Sequence, residues 1–479
     1  MSNRIVHSLR EYRFAILLAV VVSILYGFFA YDLERSDFPR LITMFTGLIV
    51  ITYQLIKMYG WNFWLLAGFG VLFRLVFLPA IPNLSQDFYR FLWDGRLVIQ
   101  GINPYLFTPE QFIENLPTKF ILGHWELEKW NAITIAQDSE LVKGMGALNA
   151  SHYSNYPPIN QLCFALAALF SGKSIIGSAI VLRILIILAD IGILYFGRKL
   201  LRALKLPEKQ IFWYFLNPFI IIELTGNLHF EGVMLFFVVW SLYLLHKGKW
   251  FWAALLLGIS VSVKLLSLLF LPLFFRYSFQ KEGIFNKTRI TRLVLFYTTA
   301  LFSVLLTFLP FLSTTFLENF AATIGLWFQK FEFNASIYYI IRWIGYKVIG
   351  WNIIESVGKI LPLVIILFLL IVSFFRRNSK TKSLITALLF GISFYFLLST
   401  TVHPWYIATP LVLSVFTKYR FAIVWSVVVL LSYSAYGAEG FSENLWLVGL
   451  EYTVVAGFLI WELFLRNTTK IGLQPIENR

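Results

Sequence analysis

The residues best able to do chemistry stand out because the rest of the chain is so apolar. Within residues 85–105, SQDFYRFLWDGRLVIQGINPY, the charged Asp87, Arg90, Asp94 and Arg96 sit among phenylalanines, tyrosines and a tryptophan. Further along come Asn227, His229 and Glu231 in GNLHFEG (226–232), Lys264 in SVKLLSLLFLP, Asn334, and His403 in TVHPWY (401–406). Carboxylates, imidazoles and cations of this kind move protons and hold negative charge. Other chemistries are excluded by spacing. SGKS (171–174) ends like a P-loop, but the required upstream glycine is Ala167 and no strand precedes it. The six histidines and the single Cys163 lack ligand spacing, so no metal site is expected. No two aspartates form Asp-x-Asp, the usual metal–nucleotide clamp of soluble sugar-nucleotide transferases.

The elements that must position these groups are membrane helices. The chain is 58% hydrophobic and 14% charged, with mean hydropathy +0.73, whereas soluble chains carry about 25% charged residues. Apolar runs of roughly 16 to 22 residues recur along its length, enough to cross a hydrocarbon core about 30 Å thick. The fold class is therefore all-α: a polytopic helical bundle of about 13 or 14 transmembrane helices. The net charge of +15 does not point to nucleic acid, because the basic residues cluster between apolar runs as positive-inside bias requires. With one cysteine no internal disulfide forms. The first run, Phe14 to Ala30, reads as a retained helix rather than a signal peptide.

Arg4, Arg10 and Arg13 place the N-terminus in the cytoplasm. Spans near 14–31, 41–57 and 62–80 then bring the chain outside at Ile81. A first outer loop over 81–174 follows, with Trp125 and Trp130 in it and 156–172 as a helix at or dipping into the outer interface. Spans follow at 175–196, 210–225 and 230–246. The segment 250–275 is flanked by basic residues on both sides and is too short for two full spans. It reads as a hairpin of short legs with Lys264 near the turn. Spans at 292–313, 359–375, 382–399, 404–417, 420–435 and 445–464 complete the bundle, with a second outer loop over 314–358. All the polar candidates fall at outer helix ends or loops, and this convergence is the strongest functional signal.

Residues 85–100 read as a helix capped by Ser85, with Asp87 in its first turn and Gly101 and Pro104 ending it. Asp87, Arg90 and Asp94 share one side. Phe88, Phe91, Trp93 and Leu97 cover much of the rest, so the helix is expected to lie in the interface plane with its charges over the bundle. Plainer readings stand beside these. The Asp87–Arg90–Asp94 set also reads as an ion network on a surface helix, His229 as an interfacial histidine, and Lys264 as a snorkelling side chain. Arg183 and Asp190, seven apart in one span, read as a buried structural pair.

QDFYRFLWDGRLVIQGINPY closely resembles the first outer loop of bacterial polyprenyl-phosphate-sugar-dependent mannosyltransferases of the GT-C superfamily. Their usual form is an acidic residue, Tyr-Arg-Tyr-Leu-Trp-Asp-Gly-Arg, then Gly-Ile-Asn-Pro-Tyr. YPP (156–158), GNLHFEG, the lysine of SVKLLSLLFLP and HPWY match in kind and order, so the resemblance covers roughly residues 62 to 417. The family often has His-Asn-Asp where this chain has Leu228-His229-Phe230-Glu231.

The resemblance implies a GT-C core over 61–417, two helices outside it at 1–60, and C-terminal helices with a short cytoplasmic tail at 418–479. It implies inverting transfer of a hexose, mannose being favoured, from a polyprenyl-phosphate donor to a glycan or glycolipid acceptor. The reaction would run on the outer face of the bacterial cytoplasmic membrane, with the lipid-linked sugar phosphate as co-substrate and no metal or other cofactor. Asp87 corresponds to the catalytic acid-loop residue and would act as general base. Arg90, Arg96, Lys264 and His403 are candidates to meet the departing phosphate. Asp94, Asn103, Tyr105, Tyr156, Asn227, His229, Glu231, Asn334 and Tyr406 are the other expected substrate contacts. A transporter or flippase, which usually shows repeats, and a polymerase or ligase of lipid-linked saccharides are the alternatives.

Overall fold

The computed structural model describes residues 2–113, 134–278 and 287–466. Trp125, Trp130 and the tail beyond residue 466 lie outside the described residues. The protein is an all-α, multi-pass membrane bundle. Among the described residues, seven helices are long and apolar enough to cross a bilayer singly, and six shorter apolar helices accompany them. An eighth crossing is available if the pair Pro218–Gly226 and Glu231–His246, bent by 116°, counts as one broken span. The expected 13 or 14 spans therefore include several segments too short to cross as single helices. Among the described residues, β-structure is limited to one short hairpin, in which Tyr436 pairs with Phe441, and one isolated bridge.

Lipid leaves helix as the economical form for an apolar run, since every backbone group must be satisfied within it. Local residues set the starts. Asp37 accepts the Arg40 N–H at the head of α2 (Phe38–Tyr59), and Asn62 accepts the Leu65 N–H at the head of α3 (Phe63–Val76). The preceding α1 (Ser2–Tyr31) is tied to the C-terminal end of α3 by the Tyr31 hydroxyl, which donates to the Val76 carbonyl at 2.7 Å.

Packing faces follow the helical period. Helix Lys287–Phe308 buries Leu293, Phe296, Ala300 and Ser303 while Phe302, Leu305 and Leu306 face outward. Its inner stripe meets Gly258 of helix Trp250–Val263, where a Cβ would collide with Ser303 and the Ala300 carbonyl. Small residues let membrane helices approach this closely.

Two interruptions position the polar groups. The first is the bend at GNLHF, where Leu228 takes a left-handed φ of 61°. The second is Lys264, an extended residue (φ −145°, ψ 130°) between helix Trp250–Val263 and the 3-10 helix Leu265–Ser278. The sequence reading expects Lys264 near the turn of a hairpin; the structure has it as a single extended residue between two helices.

Three expectations need correction. Helix α4 (Asp87–Val98) does not lie open in the interface: Phe88, Arg90, Phe91, Leu92, Trp93, Asp94, Arg96 and Leu97 are all buried. Helices Asp138–Ala150 and Pro158–Ser171 pack over it and enclose its aromatic sides. Ser85 does not cap α4 across a turn; Gln86 precedes the helix, and Ser85 Oγ accepts the N–H of Asp87, two residues on, at 3.3 Å. Arg183 and Asp190 do not pair. Asp190 takes Arg74 Nε at 2.8 Å and the Tyr214 hydroxyl at 2.9 Å, whereas Arg183 donates to the carbonyls of Leu78, Thr225 and Gly226. Spacing on one helix did not reveal partners on neighbouring ones.

Candidate active site

Helix α4 is held at backbone distance from helix Pro158–Ser171, because a Cβ on Gly95 would strike the Phe164 carbonyl. That approach sets the height of Asp94. Its Oδ1 takes Arg90 Nε at 2.7 Å, and its Oδ2 takes the Ser154 hydroxyl and Gln161 Nε2. Arg90 also donates to the carbonyls of Asn149 and His152. Arg96, on the other side of the helix, donates to the carbonyls of Ala136 and Lys173 and to Gln137. Arg90, Asp94 and Arg96 thus bind the segment 81–174 to itself.

Asn103 and Tyr105 do similar work. Asn103 donates to the Phe311 carbonyl, Tyr105 donates to the Tyr156 carbonyl at 2.6 Å, and the Tyr105 ring packs among Phe311, Phe316 and Phe320. Asn334 belongs to a third tie. The backbone of Phe333 exchanges hydrogen bonds with Thr400 and Val402, and the Asn334 side chain donates to Glu451. This bridge fixes the second outer loop beside His403.

The remaining candidates converge. Asn227 Oδ1 accepts the Leu84 N–H at 3.2 Å, and His229 Nε2 lies 3.2 Å from Ser85 Oγ, so the bend at GNLHF grips the residues leading into Asp87. The His229 ring stacks on Trp405 at 3.7 Å, and Trp405 stacks on His403 at 4.5 Å with the rings 4° from parallel. Tyr406 sets its ring edgewise against His403. Glu231, at the head of its helix and fully buried, pairs through Oε1 with Lys264 Nζ, while its Oε2 has no hydrogen-bond partner. Lys264 keeps 19% of its side chain exposed and lies 5.7 Å from the Tyr406 ring centre.

Asp87 faces this group. Burial raises its carboxyl above the ordinary range, and Lys264, Arg35 and a hydrogen bond with Tyr156 pull it partly back. Asp87 and Glu231 in turn act on Tyr406 and on each other. A proton acceptor, a cation and several buried polar groups thus meet at one place, near the ends of otherwise apolar helices.

Three contributors escaped the sequence reading. Trp405 joins the two histidines, and its place inside HPWY was the available signal. Glu223, 3.6 Å from His229 Nδ1, precedes GNLHFEG by one helical turn. Arg35 reaches the site from the connection between α1 and α2, with its guanidinium carbon 3.3 Å from the Tyr436 ring centre. The charge cluster DLERSD (32–37), between two apolar runs, was its trace.

The polar cluster sits within an all-α, multi-pass membrane bundle. The family model described as alpha-(1->6)-mannopyranosyltransferase, N-terminal domain, matches residues 65–279, the stretch from α3 past Lys264. Alpha-(1->6)-mannopyranosyltransferase B of Corynebacterium glutamicum is 25% identical over 181 residues, which is 38% of this chain and 26% of that protein. The chain is thus similar to membrane mannosyltransferases over the region that supplies Asp87, Tyr156, His229, Glu231 and Lys264, and the resemblance read from residues 85–105 stands. The match spans about a quarter of that relative's length.

Proposed function

We propose that the protein is a mannosyltransferase that moves the sugar from a polyprenyl-phosphate donor to a hydroxyl of a glycan or glycolipid. In this reading it acts at the outer face of the cytoplasmic membrane. The observation that carries it is the meeting of Asp87 with Lys264 and the His229–Trp405–His403 stack, within a region similar to such enzymes. The donor's prenyl chain remains among the helices and its sugar phosphate enters the polar site.

In the proposed step the acceptor oxygen attacks the anomeric carbon as its proton passes to Asp87, and the bond from that carbon to the phosphate oxygen breaks. A single displacement inverts the anomeric centre. The raised affinity of Asp87 for a proton makes it a stronger base than an exposed aspartate. The phosphate leaves with added negative charge, and Lys264 is placed to meet it. Glu231 holds Lys264 in position and Tyr156 orients Asp87.

The test is purified protein in lipid, offered a panel of polyprenyl-phosphate sugars and a mannoside acceptor. Mannose transfer with inverted stereochemistry is expected. Vectorial movement of the lipid-linked sugar with no new glycosidic bond would replace this reading with transport. Transfer only of preassembled oligosaccharide would replace it with a ligase or polymerase.

A further inference from the structure

The α1–α2 connection lies outside the region matched by the family model, yet it delivers a cation to the site. We propose that Arg35 is a second anion-binding residue, holding a phosphate oxygen of the lipid-phosphate donor together with Lys264. The proposal rests on the functional reading above and extends it to a part of the chain that the comparison does not reach.

The connection is held in place. Asn83, just before α4, donates to the carbonyls of Phe29 at 2.7 Å and Leu33 at 2.9 Å. Asp37 caps α2, and Arg40 is taken up by an ion pair with Asp32. Arg35 is used differently from its neighbour Arg40. Among the described residues it forms no ion pair, and its buried Nε has no hydrogen-bond partner. Arg74, Arg90 and Arg96 each also have one unpartnered donor, but their guanidiniums are otherwise hydrogen-bonded, whereas Arg35 makes no such bond among the described residues and is open to an acceptor.

Arg35 is half-buried. Its charge acts on Asp87, Glu223, His229 and His403. Its flat face rests on Tyr436, in the short hairpin that pairs Tyr436 with Phe441. A guanidinium stacked on an aromatic ring leaves its N–H edge free and fixed in direction. That edge suits phosphate, whose oxygens accept paired N–H donors. Lys264 is already compensated by Glu231, whereas Arg35 has no such partner among the described residues. A ligand with a single negative phosphate oxygen therefore finds its least compensated cation on the α1–α2 connection.

The test is direct binding to the purified full chain, with farnesyl phosphate as the probe and farnesol as the phosphate-free control. Wild-type protein is expected to bind the phosphate more tightly than the alcohol. Arg35→Gln should weaken farnesyl phosphate binding on the order of tenfold to a hundredfold, the range for a hydrogen bond to a charged group, with farnesol binding unchanged. Arg35→Lys should recover part of the loss. Tyr436→Leu, which removes the ring beneath the guanidinium, should weaken phosphate binding in the same direction. Unchanged farnesyl phosphate affinity in folded Arg35→Gln overturns the proposal and leaves the functional reading intact. If Arg35→Gln does not fold, unchanged affinity in both Arg35→Lys and Tyr436→Leu overturns it equally. Wild-type protein that binds phosphate and alcohol alike overturns the lipid-phosphate donor itself, and the role of Arg35 with it.

Discussion

Two buried carboxylates, Asp94 and Glu231, each pair with a cation, and the difference between them separates scaffold from site. Asp94 has both oxygens occupied, by Arg90, Ser154 and Gln161, and Arg90 reaches two loop carbonyls beyond. Glu231 has one oxygen on Lys264 and the other without a partner, and Lys264 is partly open. A carboxylate filled on every side holds structure. One left incomplete beside an accessible cation is ready for a ligand. Asp87 belongs with the second kind: it is only partly buried, and its neighbours are charges and a tyrosine rather than a closed set of donors.

The sharpest way to break this division is to exchange the roles by mutation. Asp87→Asn keeps size and hydrogen bonding but removes the proton acceptor. Turnover is expected to fall by about 10²–10⁴-fold, with donor affinity little changed, as single-turnover and binding measurements would reveal. Asp94→Asn should do the opposite. Leaving Arg90 buried without its counter-charge costs about 3–5 kcal/mol of stability, read as a lowered unfolding midpoint, while turnover per folded molecule stays near wild type. A dead but stable Asp94→Asn beside an active Asp87→Asn would reverse the assignment.

Lys264 gives the next effect. Lys264→Met alone strands Glu231, so the informative variant is Glu231→Gln with Lys264→Met. Its KM for the donor should rise on the order of tenfold or more, the scale of a lost charged hydrogen bond, with a smaller change for the acceptor. Equal KM values in variant and wild type would return Lys264 to the headgroup region. The smallest effect is on pH. A general base must be ionised, so kcat/KM should decline as pH falls through the folded-state value of Asp87, which lies above its ordinary 3.8. Stability moves the other way. Between 3.8 and the raised value the folded state holds the proton more firmly than the unfolded chain, so the contribution of Asp87 to stability falls as pH rises. Asp87→Asn should therefore lose the acidic limb and be slightly more stable than wild type at neutral pH.

Much of this was legible in the sequence where a signal is local. Apolar length announced the bundle, the gap between the spans at 210–225 and 230–246 fell where the chain bends, and the segment 250–275, too short for two spans, drew notice to Lys264, where the structure breaks the helix. What failed was partner choice across helices. Nothing in spacing says that Asp190 would take Arg74 rather than Arg183, or that Arg96 would turn to the carbonyls of Ala136 and Lys173. The amphipathic look of α4 was also misleading. Alternating charge and aromatics reads the same whether one side meets water or, as here, two covering helices. Arg35 was hidden for a related reason, since its charge cluster lies some fifty residues before Asp87 and only the fold brings the two together.

The sandwich of Trp405 between His229 and His403 has an optical consequence. An indole stacked on two imidazoles emits according to their protonation and spacing, so Trp405 differs in surroundings from the bulk of the chain's 16 tryptophans. A molecule entering beside the stack would change that emission without any attached dye. Subtracting the spectrum of Trp405→Phe from that of the parent protein would turn the site into its own fluorescent gauge of occupancy.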